Sequence, residues 1–301
     1  MSVHELKRSP IGDITEWQVD VPNTQELLRH WARVSPLQPA LRHKRQGQWF
    51  VWRWIDVLRD VERLADGLRQ QGFTDASRLA LSGAFEPDLL LLALAAQHIG
   101  GQVLTLPDNL DPESLHDALS HSRPSHAFAQ GQQMRRSWIN QGHTPLDFND
   151  LLGPADNPQR LIGWWHGPQL WSEEGTQWQA GLSVLFDQWL NSGQSLAFPQ
   201  SPASASRDRR EVAPTGLLLS AKRLESLLNE IDSRLATPGT WRRRLCDWAI
   251  AHPEKGPQRL IKQGVRRLLG FQNLHFIWPV TRHPCTQPRA DWLFELKRDT
   301  V

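Results

Sequence analysis

Twelve histidines, two cysteines and a run of arginines are the side chains here best able to do chemistry, and their spacing decides which chemistry is open. A zinc site needs ligands in close pairs, such as HxxxH or HExxH on a helix. No such pair occurs, and His283-Pro-Cys285 has no further ligand near it in sequence, so no metal is expected. Ser82-Gly83 ends a short apolar run. A nucleophile elbow would need the frame G-x-S-x-G, which is missing, so the serine reads as a strand terminus. The chain has 15 Trp and no Tyr. That removes the phenol as an acid, base or donor and leaves the indole, which supplies area and one N–H but no proton transfer. No residue is assigned a catalytic, cofactor-binding or metal-binding role.

The arginines are the remaining candidates. Residues 151–301 hold 19 Lys/Arg against 14 Asp/Glu, with most of the excess between Arg207 and Arg267, although the whole chain has a formal net charge of only +2. Arg242, Arg243, Arg244, Arg266 and Arg267 are therefore the residues expected to meet an acidic protein, phosphate groups, anionic lipid or nucleic acid. The segment WRRRLCDW puts its apolar residues on one helical face and its arginines mostly on the other, which is also what a plain solvated helix does. Nucleic acid is not the expected partner, because tryptophans at helical spacing are more often core than stacking platforms.

At 301 residues, with 39% hydrophobic and 22% charged residues, the chain can bury a sizeable core. Two cysteines cannot build a disulfide framework and no secretory leader is legible, so a cytoplasmic location is expected. The longest apolar run, Leu89 to Ala96, is too short to span a bilayer and reads as a buried helix.

The elements that must position any site follow from periodicity. Residues 1–23 read as an arm. Leu27, Leu28 and Trp31 recur at helical spacing behind Thr24, a candidate N-cap. Ala40-Leu41 and Trp49 to Trp54 flank Gln46-Gly47, which predicts a hairpin with its aromatic residues on one face. Ile55, Leu58, Val61, Leu64, Ala65 and Leu68 mark a helix that stops at Gly72. Strands then alternate with helices: RLALSG, Asp88 to Ile99, QVLTLP, Pro112 to Leu119, SHAFAQ. That rhythm implies βαβ units, an α/β fold of mostly parallel sheets with flanking helices. Residues 24–140 form a first subdomain on this reading and 181–301 a second. Residues 141–180 show no clear pattern, and Gln200 to Arg210 has linker composition. Further on, a helix over GLSVLFDQWLNSG, strands at SLAFP, TGLLLS and LHFIWP, and helices marked by Leu224 and Leu227, by Trp241, Leu245 and Trp248, by Ile261, Val265 and Leu268, and from Ala290 to Arg298 are expected.

The order of these pieces resembles the large domain of adenylate-forming (AMP-binding) acyl-CoA synthetases, above all the long-chain fatty acid–CoA ligase branch. RLALSGAFEPDLLLLALAAQHIGGQVLTLPDNLDPESLHDALSHSRPSHAF is similar to that family's strand-helix-strand-helix-strand nearly step for step, and the hairpin with its following helix looks like the family's entry. The resemblance implies ATP with magnesium, CoA and a fatty acid as ligands. It also implies a hydroxyl- and glycine-rich phosphate loop of the form TSGTTG.PK before the helix at Gly181, since several phosphate charges must be gripped at once. In that interval the one candidate is Glu174-Gly175-Thr176, with a single glycine, no lysine and an acidic neighbour. PVTRHP at Pro279 to Pro284 stands where the family has SGGAP, and Trp164-Trp165-His166 either lines an acyl pocket or plugs the place of the lost loop. The expectation is a shortened, degenerate relative that needs no cofactor. It would bind or regulate a protein partner in a fatty-acid-related pathway, with an acyl ligand and peripheral membrane contact as further options. The rival expectation is an acyl-activating subunit that takes its nucleotide site, with ATP/Mg and CoA, from a second chain. A third is a binder of nucleic acid or anionic surfaces through residues 207–267.

Overall fold

Residue pattern turns directly into architecture over the first hundred described residues. The computed structural model describes residues 23–153, 159–160, 167–234, 240–241, 244, 247–248 and 256–278. Helix α1 (Thr24–Val34) leads into the hairpin of β1 (Pro39–Arg45) and β2 (Gln48–Arg53), then α2 (Trp54–Gln70). Gln46 and Gly47 both have positive φ, 50° and 77°, which is the two-residue turn that matches the twist of antiparallel strands. Thr24 is the first residue of α1, and Asn23, in the left-handed region, takes the N-cap position instead.

The alternating segment folds as β3 (Arg78–Ser82), α3 (Pro87–Ile99), β4 (Gln102–Thr105), α4 (Pro112–Ser122) and β5 (His126–Ala129). Its strands make a parallel sheet in the order β4-β3-β5. Helix α3 is apolar all round and buried from Leu89 to Ala96, as a helix between two layers must be. Asp111 caps α4 by accepting from the backbone N–H groups of Glu113 and Ser114.

Helix α5 (Gln132–Asn140) follows, and helix α6 (Phe148–Leu152) and strands β6 (Gln159–Arg160) and β7 (Gln169–Trp171) occupy the stretch without a legible pattern. They are followed by α7 (Gly181–Ser192), β8 (Ser195–Phe198), α8 (Ala205–Val212), β9 (Gly216–Leu218), α9 (Ala221–Arg234), α10 (Gly256–Leu269) and β10 (Phe276–Trp278). The second sheet has the order β10-β9-β7-β8-β1-β2-β6. It is parallel from β10 to β1 and antiparallel at β1-β2-β6. The fold is thus α/β, with mostly parallel sheets and flanking helices. The hairpin at 39–53 belongs to the same sheet as strands that come far later in the chain.

Four expectations change. The hairpin's aromatics lie on both faces, Phe50 and Trp52 packing on the main core and Trp49 on a second core around Trp171, Leu217 and Phe271. Residues 205–212, of linker composition, are a helix whose Asp208 and Arg209 are buried. On α10 the inward residue is Leu269, while Leu268 is 70% exposed. Trp241 and Trp248 are helical as expected but exposed, where core positions were predicted. Residues 1–22, 164–166 and 279–301 lie outside the described residues.

Strand β1 departs furthest from habit, because Arg42, His43 and Lys44 are buried in a strand paired on both sides. Arg42 and Lys44 each need a partner, since an unpaired buried charge costs several kcal/mol. The Arg42 guanidinium donates to Gln169 Oε1, faces the Trp49 ring at 5.1 Å, and is lowered to about 10 by burial. Lys44 Nζ lies 2.9 Å from Asp208 Oδ1 and 2.6 Å from Glu211 Oε2. Arg45 on the opposite face pairs with Asp88 at 2.9 Å.

Candidate functional site

The loop between β7 and α7, residues 172–180, lies at the carboxyl end of a central parallel strand, where open α/β sheets place their ligands. Three buried residues, Gln169, Leu170 and Trp171, carry the chain to it. The loop is stitched to the turn after β3: Gly83 N donates to Thr176 Oγ1 at 3.0 Å, Thr176 N to Gly83 O at 2.8 Å, and Phe85 N to Glu174 O at 2.9 Å. Gly175 is required here, because a Cβ would stand 2.7 Å from the Gly83 carbonyl oxygen. Ser82 ends β3 fully buried, as a strand terminus should.

The charge on this loop is the feature that matters. The Glu173 carboxylate is 1% exposed and accepts from three side chains. Arg209 Nη1 approaches both oxygens at 3.3 Å, Arg223 Nε and Nη2 approach Oε1 at 3.0 and 2.8 Å, and Trp171 Nε1 donates to Oε2 at 3.3 Å. Arg209 is further held by the Leu269 carbonyl and by the Phe271 ring, 4.9 Å away. Glu174 Oε1 accepts the Ser220 backbone N–H at 2.6 Å, and Ser220 Oγ caps α9 by accepting from Arg223 N. Two carboxylates therefore anchor the loop to α8 and α9.

Above them opens a cleft of about 870 Å³, bounded by Pro107 and Asn109 after β4, by Gln177 and Trp178 of the loop, and by Lys222 and Arg223 of α9. Its size suits a small organic ligand. A triphosphate needs free backbone N–H groups and a cation, but the Ser172, Thr176 and Trp178 amides are spent on the Ala197, Gly83 and Gly175 carbonyls. Glu173 already pairs with both nearby guanidiniums, those of Arg209 and Arg223. Exposed Lys222 is the further cation on the cleft wall.

The arginines singled out in the sequence are dispersed in role. Arg244 and Arg267 are exposed. Arg266 donates from Nε and Nη2 to the Phe271 and Leu274 carbonyls at 2.9 and 2.6 Å and so closes the turn after α10. Arg242 and Arg243 lie outside the described residues. Glu173, Arg209 and Arg223 carry no motif, and only folding brings residues 36 and 50 positions apart together. Among the described residues no group of three His, Cys, Asp or Glu could hold a metal ion, and His283 and Cys285 lie outside them.

Comparison with known proteins bears on the fold. Residues 28–158 match the model of a family described as AMP-binding enzyme. The chain is similar in structure to VinN in complex with L-aspartate, with a TM-score of 0.58 and 11% identity over 87% of this chain and 76% of that one. It is also similar to the luciferase-like enzyme of the mealworm Zophobas morio, with a TM-score of 0.55 and 13% identity over 86% and 74%. For the o-succinylbenzoate coenzyme A synthetase MenE of Bacillus subtilis, in complex with AMP, the TM-score is 0.54 and the identity 13% over 68% and 64%. Identities this low show the fold, which is that of adenylate-forming enzymes. No curated protein matches the sequence. Among the described residues no helix is long and apolar enough to cross a membrane.

Proposed function

We propose that this chain keeps the scaffold of an adenylate-forming enzyme without its nucleotide chemistry. It works as a binding or regulatory protein in a fatty-acid-related pathway, taking an acyl ligand in the cleft and a protein as its partner. One observation carries the reading: the loop that should hold triphosphate instead presents Glu173, buried in a cage of Arg209, Arg223 and Trp171. The carboxylate engages the guanidiniums of Arg209 and Arg223. The cleft beside it survives, with the Trp178 ring on its wall, and an acyl chain asks for no countercharge along its length.

Isothermal titration tests this. Heat is expected from a fatty acid and none from ATP with magnesium. Formation of acyl-adenylate from ATP by the purified chain alone overturns it.

A second reading, an acyl-activating subunit that borrows its phosphate site and catalytic lysine from another polypeptide, is favoured by one feature. Lys222 stands exposed on the cleft wall, a cation that a phosphate in the cleft would meet. Pyrophosphate release that appears only on mixing with a second purified chain would support it.

A further inference from the structure

We propose that the stripe Trp241, Arg244 and Trp248 docks this protein on an anionic lipid surface, with Arg267 and Leu268 of α10 as a second contact from the same basic stretch. Residues 241, 244 and 248 are helical, and Arg244 N donates to Thr240 O at 3.1 Å, the spacing of an α-helical turn. Positions i, i+3 and i+7 share one helical face. On that face Trp241 is 69% exposed, Trp248 41%, and Arg244 is exposed between them. Leu268 is 70% exposed beside exposed Arg267. One acidic residue, exposed Asp247, adjoins the stripe.

Charge names the occupant. Between Trp241 and Gly270 the sequence has eight Lys/Arg and two Asp/Glu, while the whole chain is only +2, so the remainder is net acidic. An anionic surface attracts this stretch and repels the rest, which orients the protein as well as binding it. The exposed apolar groups separate lipid from polynucleotide. Indole rings gain at the headgroup level and a leucine gains where acyl chains begin, whereas an aliphatic side chain gains nothing from a phosphodiester backbone. The attachment is peripheral: no described helix is long and apolar enough to cross a bilayer.

Co-sedimentation of the full chain with vesicles tests the proposal, using phosphatidylcholine alone and phosphatidylcholine mixed with phosphatidylglycerol. Binding is expected to the mixed vesicles only. It should weaken with salt and drop by about tenfold in Trp241→Ser/Trp248→Ser, with a smaller drop in Leu268→Ser. Circular dichroism and urea midpoints of the variants check that each remains folded, and Leu268→Ser, 70% exposed, gives the comparison least dependent on packing. Failure of the wild type to bind mixed vesicles overturns the proposal. So does equal binding by the tryptophan variant, or competition by an oligonucleotide together with an unchanged Leu268→Ser, which would assign the surface to nucleic acid.

Discussion

The Arg223 guanidinium reaches Oε1 of Glu173 at 2.8 Å from the wall of the cleft, joining α9 to the loop after β7 by a bond that is half-buried on one side and fully buried on the other. Arg209 completes the cage from α8. Three segments distant in sequence thus share one carboxylate, and the loop's position depends on it.

Glu173→Ala should therefore destabilise the fold by about 3–5 kcal/mol, because it leaves buried Arg209 without its counter-ion. Glu173→Gln keeps the shape and should cost less. Urea unfolding of both variants provides the comparison, and equal stability of Glu173→Ala and wild type would refute the cage.

Lys44 and Asp208 should be strongly coupled. Burial alone would raise the Asp208 carboxyl, but hydrogen bonds from Ser204 and Lys44 outweigh it and hold the group below the usual carboxylate range. Lys44→Met should cost about 3–5 kcal/mol by stranding a buried carboxylate, and adding Asp208→Asn should recover part of that loss. A double-mutant cycle measures the coupling, which additive losses would contradict.

Gly67→Ala sets two effects against each other. In an open helix the change would stabilise by about 1 kcal/mol. Here the new Cβ would press on the Leu151 carbonyl, whose carbon would lie 2.9 Å away, so α6 must move off α2. A net loss of about 1–3 kcal/mol is expected in urea unfolding.

His43 and Glu86, 3.9 Å apart at Nε2 and Oε1, should pull stability in opposite directions with pH. Burial pushes His43 down to about 4, with Arg45 adding and Asp208 opposing. Its contribution is complete above 6.5 and is lost as pH falls toward 4. Burial pushes Glu86 up to about 7, with Asp88 adding and Arg45 opposing, so its contribution is complete below 4.5 and is lost as pH rises to about 7. The slopes oppose between 4.5 and 6.5. His43→Gln should make stability fall with rising pH across that window, and Glu86→Gln should make it rise. Urea midpoints at several pH values read both signs.

Local signals carried much of this fold. Periodicity located α3 and the three strands of the small sheet, and Gln46-Gly47 located the hairpin, because these elements bury a face or need a positive φ that their own residues supply. Strand β7 was illegible, since three residues flanked by Gly, Pro and polar groups become a strand only when β8 and β9 pair with them. Helix α8 was illegible for a related reason. Asp208 and Arg209 look like surface residues until Lys44 and Glu173 accept them into the interior. The candidate site shared that fate: no spacing in the sequence joins Glu173 to Arg209 and Arg223, which only the fold brings together.

Strand β1 carries a consequence for how the protein is made. Lys44 emerges from the ribosome 164 residues ahead of the aspartate that neutralises it. At about 5–20 residues per second, translation leaves roughly ten seconds or more during which the hairpin's interior charges have no counterpart to close upon. The buried charge of β1 finds its counterpart only once α8 has been synthesised.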